Sequence, residues 1–245
     1  MRAIILAAGY GRRIAAAHQG PKSLLEFGGK TLLQRHLENL AARGVEHVAV
    51  CAGYEADMLR HAIEGSGYAT MVSTVLNRDF RKGSVVSLWT MRHYLAAGGE
   101  ILLMDADVLY DPALLDRLRE TAKPNCFLLD RDFEPGLEPV KLCVRDGTLV
   151  EFRKQLAEEL QYDFAGESVG FFRLGEDMAR RLARKTEEYV GGGRREEPYE
   201  EAIRDLLLER PADFDYEDIT GTPWLEIDFP EDIERANTKI LPHLT

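Results

Sequence analysis

The chain has 245 residues, of which 31 are Lys or Arg and 42 are Asp or Glu, giving a net charge of −11. That length suits one large α/β domain or two small ones, and the acidic balance argues against a nucleic-acid or anionic-membrane surface. Cys51, Cys126 and Cys143 are dispersed and mostly within apolar runs, so neither a disulfide framework nor a zinc motif is indicated, and buried free thiols are expected.

Ala3 to Ala8 is a short apolar run, as expected of a strand buried on both faces of a parallel sheet. It is too short for a signal peptide and leads straight into Gly9-Tyr10-Gly11-Arg12-Arg13, where glycines let backbone N–H groups approach a ligand and the arginines add positive charge. This is an anion site, and a polyphosphate is the anion it suits. Ile14 stands where a dinucleotide fingerprint needs Gly or Ala, and no Gly-Lys-Ser/Thr closes the turn as in a P-loop. Gly20-Pro21-Lys22-Ser23 follows.

Leu32, Leu33, Leu37 and Leu40 predict a helix over Thr31–Arg43 ended by Gly44. Strands are predicted at Val45–Cys51 and Met71–Leu76, with a helix over Glu55–Glu64 between them. Asn77 to Gly83 reads as a polar loop, and Ser84 as the N-cap of a helix reaching Gly98-Gly99. Glu100–Met104 is the fourth strand, ending in Asp105-Ala106-Asp107, and Asp111-Pro112 opens the next helix. These β-α repeats imply a parallel sheet with ligands at the strand C-termini, so Gly9, Asn77 and Asp107 share one rim.

Beyond Lys123 the pattern changes. Cys126–Leu129 is a predicted strand, and Val140–Arg145 with Thr148–Phe152 flank Asp146-Gly147, a type I′ hairpin turn. Val169–Arg173 is another strand. Helices are expected over Glu176–Glu188 and Pro198–Glu209, with the glycine-rich, charged Val190–Glu197 a mobile loop between them. Short strands at Phe214–Ile219 and Trp224–Asp228 precede a last helix over Pro230–Asn237. No apolar run nears the ~18 residues that span a bilayer, and a cytoplasmic protein is expected. We read one domain over 1–245, with a nucleotide-binding half (1–122) and an acceptor half with antiparallel pieces (123–245).

Two acidic groups stand out beside the glycine turn. Asp105 and Asp107 end an apolar strand and face the ligand rim, where carboxylate oxygens suit the Mg²⁺ that accompanies a triphosphate. Glu226 and Asp228 alternate with Leu225 and Ile227, so both project from one strand face.

The pattern of strand, Gly-x-Gly-x-Arg and Pro-Lys-x-Leu resembles the nucleotidyltransferase superfamily. Asn77 through Ser87, Asp105-Ala106-Asp107, Gly166 to Phe171, Tyr199 to Ile203 and Gly221 to Asp232 make it similar to the phosphocholine, inositol-1-phosphate and phosphonate cytidylyltransferases. The fold this implies is a glycosyltransferase-A-like (Rossmann-like) α/β sandwich around a mixed, mostly parallel sheet. The resemblance implies that Ala8, Gly9 and Gly11 cradle the nucleotide, with Leu6, Ala7, Arg12, Asn77, Ser84 and Asp105 also at the nucleotide. Arg13 and Lys22 become the catalytic cations. Asp107 and Asp228 hold Mg²⁺, and Asp105 stands behind them. The family usually has Ser or Thr where this chain has Arg12; position favours Arg13 for the key contact.

The implied reaction is attack of an acceptor phosphate or phosphonate oxygen on the α-phosphorus of CTP, a step needing positioning and charge neutralisation rather than a general base. Ser87, Lys141, Lys154, Glu167, Tyr199 and Glu226 are the acceptor-binding candidates, although a solvated strand lysine suits Lys141 and Lys154 equally well. Trp89, Tyr162, Phe164, Tyr199 and Trp224 are candidate faces for a quaternary ammonium. Aromatics with acids favour a cationic acceptor, phosphocholine-like or an aminoalkylphosphonate, over inositol phosphate. Alternatives are a sugar-1-phosphate nucleotidyltransferase and a non-catalytic nucleotide sensor. Oligomeric state is silent, a homodimer remaining open.

Overall fold

The computed structural model describes residues 1–14 and 18–244. The first half contains β1 (Arg2–Ala7), the small ladder β2 (Glu26–Phe27) and β3 (Lys30–Thr31), α1 (Leu32–Ala42), β4 (Val48–Ala52), α2 (Ala56–Gly65), β5 (Val72–Leu76), α3 (Ser84–Thr90), α4 (Arg92–Ala96), β6 (Ile101–Asp105), β7 (Val108–Tyr110) and α5 (Ala113–Glu120). The second contains β8 (Cys126–Asp130), β9 (Lys141–Arg145), β10 (Thr148–Arg153), β11 (Phe164–Leu174), α6 (Glu176–Gly191), α7 (Tyr199–Glu209), β12 (Asp215–Asp218), β13 (Trp224–Glu226) and α8 (Pro230–Arg235).

One nine-stranded mixed sheet runs through both halves. β1 pairs in parallel with β4 and β6, and β4 with β5. The long β11 runs antiparallel to β6, β8 and β9, β10 antiparallel to β9, and β12 parallel to β8. Only β10 and β11 therefore oppose the common strand direction. The continuous apolar runs are explained by two-sided burial: Ile4, Ile101 and Leu103 pack on one face, and Ala3, Ile5, Leu102 and Met104 on the other, as alternation along a strand requires. The first face is covered by α3, α4, α6 and α7, the second by α1, α2 and α5.

Several local expectations shift. Thr31 caps α1, its Oγ1 accepting from Gln34 N–H at 3.1 Å. Ser84 does not cap its own helix; Gly83 holds that position, and Ser84 Oγ accepts the Tyr199 N–H across the fold at 2.9 Å. The single helix expected after Ser84 is broken at Met91 into α3 and α4. Asp146 and Gly147 both have positive φ, 51° and 74°, as a type I′ turn demands. β11 starts five residues before the predicted strand because Gly166 and Gly170 interrupt its apolar pattern.

Val190–Glu197 departs furthest from the mobile loop expected of it. α6 extends to Gly191, and the rest is fastened to the 79–83 loop. Gly83 N–H donates to Arg195 O at 2.8 Å, Val85 N–H to Glu197 O at 3.2 Å, and Arg195 pairs with Asp79 at 2.5 Å. Gly83 makes this possible, since any side chain there would collide with the Glu196–Glu197 backbone. No helix among the described residues is long and apolar enough to cross a membrane.

Candidate active site

The rim at the C-terminal end of β1 is built by close backbone packing. Tyr54 N–H donates to Ala8 O at 3.1 Å, and Gly53 lies so near that an added Cβ would stand 2.6 Å from that oxygen. Leu6 and Ala7 finish β1, Ala8 is buried, and Gly9 has open space around it. Gly11 adopts φ +60°, where an added Cβ would lie 3.0 Å from Lys22 Cγ. The turn and Lys22 therefore lie against each other. Lys22 opens a single 3-10 turn, Lys22–Leu24, after Pro21.

Asp228 reaches this rim through β13, which pairs antiparallel with β7, and through Ile227 N–H donating to Asp107 O at 2.9 Å. The buried Asp232 fixes the bend, accepting the N–H groups of Asp228 at 3.0 Å and Phe229 at 2.8 Å. Lys22 Nζ then bridges the two acids, donating to Asp107 Oδ2 at 2.9 Å and Asp228 Oδ1 at 2.5 Å. Burial would lower the Lys22 pKa, but the charges and hydrogen bonds of the two carboxylates outweigh it and raise the value. Arg13 donates to Asp228 at 3.2 Å and Glu138 at 3.1 Å and lies over the Phe229 ring. Arg12 is exposed.

Asp107, Glu226 and Asp228 each offer a carboxylate oxygen within 4.8 Å of the others. Three hard oxygen donors with an ammonium already between two of them suit a divalent cation such as Mg²⁺. Glu226, expected at the acceptor, thus also stands among the acids of this cluster. Glu226 is an exposed residue, but its carboxyl faces the crowded cluster, and loss of hydration there, followed by the charges of Asp107, Asp228 and Asp105, raises its pKa.

Asp105 is not in that group. Its Oδ2 accepts the Tyr199 hydroxyl at 2.6 Å and lies under Gly170, where any Cβ would strike it. Burial, then the charges of Asp107 and Glu200, raise its pKa. Asn77 and Ser87 are buried and bonded to each other, Asn77 Nδ2 donating to Ser87 Oγ at 3.0 Å while Asn77 Oδ1 accepts Asp79 N–H at 2.9 Å. Both hold the 77–83 loop. Lys141 is likewise occupied, donating to the carbonyl oxygens of Gly136 at 2.8 Å, Pro139 at 3.2 Å and Lys154 at 2.7 Å. Lys154 Nζ points to Glu138 at 3.4 Å.

Beside the acids opens a cleft of about 720 Å³, lined by Asp130, Glu138, Glu167, Trp224, Glu226 and Asp228 among others. Trp224 Nε1–H donates to Asp130 Oδ2 at 2.7 Å. Glu167 sits opposite Asp130 on the adjacent strand, and burial followed by that charge pushes its pKa up to about 7. Trp89 and Phe164 are covered by Arg92 and Arg131. Asp130, Glu138 and Gly170 carry no periodic or motif signal that marks them singly. The buried His36, whose Nε2 lies 3.3 Å from Ala106 O under the Asp105–Asp107 bend, reads in the sequence as one scattered histidine.

A mixed sheet with a glycine turn, a half-buried lysine and an acid pair at one rim defines the glycosyltransferase-A-like class of nucleotidyltransferase folds, and solved structures agree. The CTP:phosphocholine cytidylyltransferase of Streptococcus pneumoniae superposes with a TM-score of 0.75 at 20% identity, covering 96% of this chain and 97% of that one. The inositol-1-phosphate CTP transferase of T. maritima gives 0.74 at 20% identity, covering 100% and 97%. Residues 3–169 match the MobA-like NTP transferase domain, and the chain belongs to that family. Relatives include a CMP-5'-(3-aminopropyl)phosphonate synthase of Streptomyces rubellomurinus, 27% identical over 99% of this chain, and a bifunctional IPC transferase and DIPP synthase of Rubrobacter xylanophilus, 26% identical over 98%. The chain spans only 39% and 52% of those two proteins. It spans 98% of the CTP:phosphoglutamine cytidylyltransferase of Campylobacter jejuni, at 24% identity over 96% of this chain.

Proposed function

We propose that this chain transfers CMP from CTP to a small phosphorylated or phosphonate acceptor and releases pyrophosphate. The observation that carries this reading is the meeting of Lys22 with Asp107 and Asp228 beside the glycine turn. CTP as donor is supported by relatives named for CMP or CTP. Asp107 and Asp228, with Glu226 beside them, would hold Mg²⁺, which supplies charge neutralisation for the triphosphate. The nucleotide would lie along Leu6 to Gly11, with Arg12 at its outer edge.

An acceptor oxygen attacks the α-phosphorus, forming the new O–P bond as the bond to the β-phosphate oxygen breaks and the electron pair leaves with pyrophosphate. A phosphate or phosphonate dianion is already nucleophilic, so no protein base is used. Lys22 and Arg13 turn from their carboxylate partners toward the charge on the transferring group. The acidity of the cleft supports a cationic acceptor, phosphocholine-like or an aminoalkylphosphonate, over a neutral polyol phosphate. The half from 123 to 245 would receive it.

Pyrophosphate release, assayed with Mg²⁺ and each of four NTPs against phosphocholine, inositol phosphate, aminoethylphosphonate and glucose-1-phosphate, tests the reading. Release should need CTP and one of the first three acceptors. Release with glucose-1-phosphate alone would indicate a sugar nucleotidyltransferase, and tight Mg²⁺-CTP binding without release a nucleotide sensor.

A further inference from the structure

α1 buries an apolar face formed by Leu32, Leu33, Leu37 and Leu40, and His36 stands within it. The imidazole is shut off from solvent, with the rings of Tyr110 and Phe171 centred 5.2 and 5.9 Å from its own. A leucine would suit such surroundings better. Histidine brings two polar nitrogens, and Nδ1 has no hydrogen-bond partner among the described residues, an arrangement that destabilises a core. The other nitrogen has one: Nε2 lies 3.3 Å from Ala106 O. A carbonyl oxygen only accepts, so this contact puts the ring hydrogen on Nε2. Burial lowers the His36 pKa to about 4, in keeping with a neutral ring that carries a single hydrogen.

Ala106 and Asp107 form the bend between β6 and β7. Ala106 N–H donates to Leu6 O at 3.3 Å, and Asp107 O accepts the Ile227 N–H at 2.9 Å. The end of β1 and the approach to Asp228 thus hold two backbone groups of the bend. The Ala106 carbonyl is the third, and a side chain from α1 holds it. That carbonyl belongs to the peptide joining Ala106 to Asp107. Because the peptide is planar, holding its oxygen also holds the nitrogen from which Asp107 continues.

The geometry points to His36 as a positioning residue of the metal site: its Nε2–H fixes the 106–107 peptide and so the direction in which the Asp107 carboxylate meets Mg²⁺. The inference rests on the metal part of the cytidylyl-transfer reading. His36 acts through Asp107 rather than by contact with metal or substrate. Mg²⁺ tolerates little departure from octahedral geometry, so a small turn of this peptide is felt at the ion. The same role explains why a half-satisfied imidazole is kept where an apolar side chain would pack.

The test compares His36→Met with His36→Gln by calorimetry with Mg²⁺ alone. The two replacements are similar in size, but only glutamine has an N–H to offer Ala106 O. His36→Met should weaken Mg²⁺ binding by roughly tenfold, the lower end of what a partner behind a metal ligand contributes, and His36→Gln should restore most of it. Leu40→Val, which trims the same buried face of α1, should lower the urea midpoint and leave Mg²⁺ affinity unchanged. In the native chain, nitrogen NMR should find the His36 hydrogen on Nε2, and the resonance should move as Mg²⁺ saturates the site. This second measurement decides the matter even where His36→Met does not fold.

Equal Mg²⁺ affinity in the two His36 variants, an equal loss in Leu40→Val, the hydrogen on Nδ1, or a resonance indifferent to Mg²⁺ overturns the inference. If Asp107→Asn weakens Mg²⁺ binding while both His36 variants match the native chain, this inference falls alone. If the native chain binds no Mg²⁺, or Asp107→Asn binds it equally well, the metal site of the cytidylyl-transfer reading falls with it.

Discussion

Lys22 Nζ stands 2.9 Å from Asp107 Oδ2 and 2.5 Å from Asp228 Oδ1, so one ammonium lies between acids contributed by the two halves of the chain. In the proposed reaction a divalent cation would share these two partners with Lys22, and a triphosphate arriving with its metal would give the lysine a new anion to face, coupling nucleotide and metal binding. Lys22→Gln should lower turnover by roughly 10²-fold or more, by analogy with loss of a preorganised charge at a transition state. The same variant should bind Mg²⁺ more tightly in the absence of nucleotide, measured by calorimetry. Unchanged Mg²⁺ affinity would show that the ammonium does not compete for the site; near-normal turnover would remove its catalytic role.

The acid cluster makes a separable prediction. EDTA should abolish pyrophosphate release and added Mg²⁺ should restore it. Asp107→Asn and Asp228→Asn should each weaken Mg²⁺ binding in the presence of CTP. Asp105→Asn should not, because the Asp105 side chain faces Tyr199 and lies outside the oxygen cluster. Equal losses in all three variants would contradict this division of the acids.

How much of this was legible beforehand follows from where each signal resides. Local chemistry carries far: the apolar run before Gly9 and the type I′ pair Asp146-Gly147 are each set by residues within a turn of one another. The pairing of Asp107 with Asp228 came from family resemblance, since only the β7–β13 ladder brings them together. The intramolecular partners of Asn77, Ser87 and Lys141 are illegible in the sequence for the same reason. A polar side chain in a motif looks available until the packed structure shows which buried backbone group it satisfies. For Val190–Glu197, composition cannot report that Gly83 lets a distant backbone close upon it.

Gly170 offers a test of close packing at the site. It has φ +78° and no room for a Cβ beside Asp105, whereas Gly29 has φ +77° with open space around it. Gly29→Ala should therefore cost only the backbone strain, about 1 kcal/mol, and Gly170→Ala about 2–3 kcal/mol because Asp105 must also move. Urea midpoints compare them. Similar losses would mean that Asp105 yields without cost.

The last prediction concerns the acids that face the acceptor cleft. Glu167 and Asp130 are opposed on neighbouring strands, where like charges destabilise a sheet. Burial first, and Asp130 second, raise the Glu167 pKa from 4.5 to about 7, against the weaker opposing effects of Lys141, Arg235 and Lys154. A carboxyl with a folded-state pKa above its unfolded value binds more protons when folded. Its contribution to stability is therefore complete below about pH 4.5 and declines as pH rises through about 7. Glu167→Gln, which cannot ionise, should match the native chain near pH 4.5 and exceed it at pH 8 by at most about 3 kcal/mol, less where solvent screens the charge. Urea unfolding at several pH values gives the difference directly. A gain that is the same at every pH would assign the effect to packing, and no gain would mean that the cleft tolerates both charges. The native chain keeps this repulsion at the wall of an acidic cleft.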